Sequence, residues 1–246
     1  EHQSSVTYGN QFKNGYLGKD VSKTGWGLKF DFILIHESGH EWFANNITYK
    51  DIADMWIHEG FTAYSENLYV DYHFGKEAAS DYVIGTRDNI QNDKPIIGVY
   101  DVNQKGSGDM YYKGANMLHT IRQLVSDDEK WRTILRGLNM EFYHKTVTTK
   151  QIEEYISRTS GIDLAQFFDQ YLRTARLPVL EYQVKGKQLS YRYTNIVNGF
   201  DMPLKINVNG TEDWFYPTSD WKSKSFKKDV LSVNVNRNFY VEHKKI

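Results

Sequence analysis

The chain contains no cysteine. That absence removes disulfides, thiolate metal ligands and a cysteine nucleophile together. It leaves the compartment open, because cytosolic and exported proteins alike can lack the residue. A dominant charge is also missing: 30 basic against 31 acidic side chains leave a net charge of -1 and a pI near 6.8. No basic excess points to nucleic acid or to an anionic membrane surface. No run reaches the roughly 18 apolar residues of a membrane-spanning helix. The opening, EHQSSVTYGN, has no initiator Met and neither the basic nor the apolar region of a signal peptide. The expectation is a fragment of a longer polypeptide, with any targeting segment upstream and the localisation open.

What is present suffices for a core. The 246 residues are 40% hydrophobic and 15% aromatic, which fits one large domain, or one medium and one small, rather than a disordered chain. Apolar spacing predicts a helix over 31–46 and a second over 51–75, started by Asp51 and carrying Ile52, Met55, Trp56, Phe61, Tyr64 and Leu68. Further helices are expected over 76–92, 110–125, 127–143, 149–160 and 163–175, with a loop over 95–108. Trp42 and Trp56 are expected in the core. At Pro178 the pattern changes: YQVKGKQLSYRYTNIV, PLKINVNG and VLSVNVNRNFYVEH alternate apolar and polar residues between turn residues. The expected fold is α+β with two domains: a mostly helical one over 1–177 and a small antiparallel β-sandwich over 178–246.

The segment ILIHESGHEWF sets two histidines and a glutamate into an apolar helix. His36 and His40 are four residues apart, so on a helix both imidazoles lie on one face and reach a single cation. Glu37 is rotated off that face and can take a proton from a water held by the cation. A catalytic zinc site needs a third protein ligand and an open position. Glu59 is the candidate: eighteen residues separate it from His40, room to end one helix, turn and enter the next. Glu66 lies two turns beyond Glu59 on the same face, placed to accept a hydrogen bond from a ligand histidine. The competing interpretation is a helix with two core histidines bonded to other groups; the pattern HExxH alone arises by chance about once in a hundred chains of this size. The metzincin variant fails, because Phe43 and Asn46 stand where it needs Gly and His. His58 points about 100° away from Glu59 and is expected in a helix-end or supporting position.

HESGHEW followed by EGFTAYSE resembles the M1 zinc aminopeptidases, the gluzincins related to aminopeptidase N and leukotriene A4 hydrolase. MYYKGANML is similar to that family's Tyr-x-Lys-Gly helix start, and EHQS to the end of its Gly-x-Met-Glu-Asn motif in the form with His for Asn. The resemblance implies a thermolysin-like catalytic domain with one zinc per chain on His36, His40 and Glu59. It implies that Glu37 is the general base, that Tyr111 stabilises the transition state, and that Glu1 anchors the free amine of a peptide substrate. It further implies an N-terminal β-rich saddle domain and upstream strands of the same polypeptide, which this chain does not contain. The function expected is hydrolysis of the N-terminal peptide bond. The alternatives are a non-catalytic binding or assembly scaffold, or a zinc hydrolase with endopeptidase or epoxide hydrolase activity.

Overall fold

A computed structural model describes residue 5 and residues 7–246. The helical part contains α1 (Phe32–Gly39), α2 (Trp56–Phe74), α3 (Lys76–Gly85), α4 (Tyr112–Val125), α5 (Asp128–Glu141), α6 (Thr149–Ser160) and α7 (Ala165–Arg173). Two short strands, β1 (Ile47–Tyr49) and β2 (Lys145–Val147), pair in parallel among them. The central helix is α2, which packs against α1, α3 and α4 and buries residues around most of its circumference. Its start is pinned by Trp56, whose indole N–H donates to the Thr149 hydroxyl at 2.7 Å. Asp51 caps not α2 but a single 3-10 turn, Ile52–Asp54, ahead of it.

The β-part begins with β3 (Val179–Lys185) and β4 (Gln188–Thr194). It continues with β5 (Leu204–Val208), β6 (Thr211–Phe215), β7 (Lys222–Ser225), β8 (Val233–Val235) and β9 (Glu242–Lys245). One sheet has the order β7-β4-β3-β9 and the other β6-β5-β8. Alternating inward residues such as Leu180, Leu189, Leu204 and Ile206 are fully buried, and Tyr191 meets Phe215 edge-on at 5.1 Å. The arrangement is α+β, with one correction to the expected antiparallel sandwich: β9 runs parallel to β3. The returning chain crosses the fold before adding this edge, so its direction is not set by a hairpin. Helical and β residues share one continuous apolar core.

Two other expectations change. The helix expected over 31–46 stops at Gly39, and residues Glu41–Asn46 form a wider, kinked turn with Phe43 and Ala44 outside helical geometry. Trp42 is 56% exposed, whereas Trp56 is fully buried. The kink swings Trp42 away from the core, onto an apolar groove of about 610 Å³ shared with Leu68, Leu135 and Met140. No helix among the described residues is long and apolar enough to cross a membrane.

Candidate metal centre

Asp31 starts α1: its carboxylate accepts the Leu34 N–H, and it also accepts from Asn10 and the Tyr8 hydroxyl. One turn later His36 is buried, and His40 is buried at the helix end. Glu37 between them is half-buried. Gly39 lets α1 lie close on α2; a Cβ there would meet the Thr62 methyl at 3.1 Å and the Ser65 Cβ at 3.2 Å. That approach presents Glu59 to both histidines. Glu59 Oε2 lies 3.4 Å from His36 Nε2 and 3.5 Å from His40 Nε2.

These three donors fit a zinc ion. Atoms bound at 2.0–2.1 Å around a tetrahedral cation lie roughly 3.3 Å apart, close to the distances seen. Each histidine is oriented by a bond at its other nitrogen. His36 Nδ1 lies 2.7 Å from Glu66 Oε1, and His40 Nδ1–H donates to the Phe43 carbonyl at 3.0 Å. Both Nε2 atoms are thereby turned toward Glu59. Glu59 Oε2 is buried and has no hydrogen-bond partner among the described residues. A buried carboxylate oxygen without a donor is costly, and a cation at this point would satisfy it.

Burial opposes protonation of His36, but the adjoining Glu59 and Glu66 carboxylates outweigh it and hold the imidazole up to about 10. Burial raises Glu66, against the lowering effect of its bonds to His36 and Tyr82.

Tyr111 stands at the start of α4, half-buried, its ring 5.9 Å from that of His36 and nearly parallel to it. Its neighbour Tyr112 is raised by burial and by the Glu66 charge. Glu1 lies outside the described residues. His58 does not face the donors: its Nε2 accepts the Tyr49 N–H at 3.1 Å and ties β1 to α2. Thr62 was not among the candidates. It is one turn beyond Glu59, and its hydroxyl lies 3.1 Å from His40 Nδ1. The three-residue step from Glu59 was the signal that could have found it. Tyr82, which donates to Glu66 at 2.5 Å, had no such signal.

Comparison with known proteins agrees with this geometry. The model of the Peptidase family M1 domain matches residues 20–171, more than half of the chain. The chain belongs to peptidase family M1. Among curated M1 relatives, "Leucyl aminopeptidase" of Saccharolobus solfataricus is 25% identical over 241 residues, covering 90% of this chain and 31% of the relative. "Aminopeptidase N" of Lactobacillus helveticus is 27% identical over 282 residues, covering 100% and 32%. Of solved structures, Legionella pneumophila aminopeptidase A in complex with aspartic acid aligns with a TM-score of 0.68 at 15% identity, covering 92% of this chain and 28% of that one. An M1 zinc metallopeptidase E323A mutant from Deinococcus radiodurans, bound to a Tyr-Ser-Ala substrate, aligns with a TM-score of 0.50 at 21% identity, covering 59% and 33%. This M1 chain spans about a third of the length of the curated relatives it matches.

Proposed function

We propose that the chain carries the metal-bearing part of a zinc-dependent aminopeptidase, acting on peptides with a free N-terminus. The observation that supports it most is the buried, donorless Glu59 Oε2 set between two Nε2 atoms at 3.4 and 3.5 Å. His36, His40 and Glu59 would hold one zinc ion, which supplies a Lewis acid that acidifies water and polarises a carbonyl. Glu37, one residue past His36, takes the proton of the attacking water and returns it to the leaving amine. The Tyr111 hydroxyl donates to the oxyanion that develops at the scissile carbonyl. Glu1 pairs with the protonated α-amine, so that only the first peptide bond reaches the reacting groups. The names of the M1 relatives support the aminopeptidase reading.

The test begins with elemental analysis of the purified chain beside His40→Ala. About one zinc per chain, lost in the variant, is expected of a three-ligand site. Glu37→Gln should keep the zinc and lower hydrolysis of a free-amine peptide on the order of 10²–10⁴-fold. Undiminished turnover in that variant would remove Glu37 from the mechanism. Equal cleavage of free and N-acetylated peptides would replace the exopeptidase reading with an endopeptidase.

A further inference from the structure

Glu66 reaches His36 through one carboxylate oxygen only. Its second oxygen, Oε2, faces the opposite way into a small apolar cluster of Phe30, Val70, Ala78, Ala79 and Tyr82. There the Tyr82 hydroxyl donates to it at 2.5 Å. Tyr82 is 1% exposed, and Phe30 packs against its ring at 5.7 Å. Phenylalanine would fill the same volume in this cluster, so the hydroxyl is explained by its bond to Glu66 and not by packing.

We propose that Tyr82 is a positioning residue for the metal centre: its hydrogen bond fixes the Glu66 carboxylate in the orientation that lets Glu66 aim His36. The proposal rests on the zinc reading above. A carboxylate held by a single bond can rotate about its terminal torsion, which is broad. Held at both oxygens, from α1 on one side and α3 on the other, it has one orientation. The chain Tyr82–Glu66–His36 then transmits the placement of α3 to the ring that would ligate the ion, as outer partners of ligating histidines do. Without the hydroxyl, Oε2 is a buried acceptor on a charged group with nothing to accept from. Rotation of Glu66 to relieve this gives up the bond to His36.

The experiment is a zinc titration of the 246-residue chain against a competing chelator, with the visible spectrum of the Co²⁺-substituted protein as a second readout. Tyr82→Phe should weaken zinc binding about 10–100-fold and shift the cobalt bands. Glu66→Gln should do the same, and the double variant should be no weaker than the worse single one. Phe30→Leu loosens the same packing and should lower the melting temperature while leaving zinc affinity within about twofold. Three results would overturn the proposal: zinc affinity unchanged in Tyr82→Phe, full additivity with Glu66→Gln, or an equal loss in Phe30→Leu. A wild-type chain that takes up no zinc would instead overturn the zinc reading, and this one with it.

Discussion

Gly60 and Gly114 touch where α2 crosses α4: a Cβ added to Gly114 would lie 2.9 Å from the Gly60 Cα. No side chain separates the two helices there. Glu59 immediately precedes the first glycine, and Tyr111 lies three residues before the second. The backbone contact therefore sets how closely the third metal-ligand candidate and the tyrosine approach each other. Gly114→Ala must push the helices apart. We expect a loss of about 1–3 kcal/mol of stability, read in a denaturant melt, together with weaker zinc binding. Unchanged stability would show that the crossing has slack the geometry does not suggest.

Zinc should stabilise the fold, because His36, His40 and Glu59 come together as one donor set only in the folded state. At a free zinc concentration 1,000 times Kd the gain is about 4 kcal/mol. For a chain of this size that corresponds to a rise in Tm of roughly 8–16 °C. A chelator should reverse it, and His40→Ala should show none of it. A calorimetric scan in which zinc shifts wild type and variant equally would mean that the ion binds elsewhere.

Thr62→Val tests the support of the second histidine. The Thr62 hydroxyl lies 3.1 Å from His40 Nδ1 and donates to the Phe43 carbonyl at 3.5 Å. Valine keeps the volume and removes both contacts. Zinc affinity should fall about tenfold with a melting temperature close to wild type. An unaltered chelator competition curve would show that His40 is oriented without help from Thr62.

Acid should weaken the fold through His119 on α4. Burial lowers this imidazole to about 4, against the raising effect of its bond to Asn238; Arg87, Arg122 and Arg237 add to the lowering. Between pH 6.5 and 4 the unfolded chain binds this proton and the folded chain does not. Stability therefore falls as pH falls through that window, by roughly 3 kcal/mol at most from this group. His119→Gln can still donate to Asn238 and should flatten that part of the stability profile. Parallel wild-type and variant profiles over the window would refute the assignment.

Much of the centre was legible in one dimension. A period of 3.6 residues alone puts His36 and His40 on one face, and the same period puts Glu59, Thr62 and Glu66 along one side of α2. The alternation after Pro178 similarly announced strands. The wider turn after His40 was not legible, because EWFANN has ordinary helical residues. There a side chain competes with the helix for the backbone: the Phe43 carbonyl turns back to accept from His40 Nδ1. The parallel edge strand β9 was hidden for a related reason, since pairing across a long connection carries no local signal.

By itself, the sequence determined which side chains can share a helix face, because that follows from local geometry that every residue obeys. It also carried the signature that places the chain in peptidase family M1. Only the tertiary structure decided which faces meet. The close approach at Gly39 brings α1 and α2 near enough for two histidines and one glutamate to converge, and the contact of Gly60 with Gly114 sets α4 against α2 beside them. The Tyr82 hydroxyl meets Glu66 only because α3 packs back onto α2. These are contacts between segments distant in the chain, made by shape and burial, and no spacing rule along the sequence encodes them.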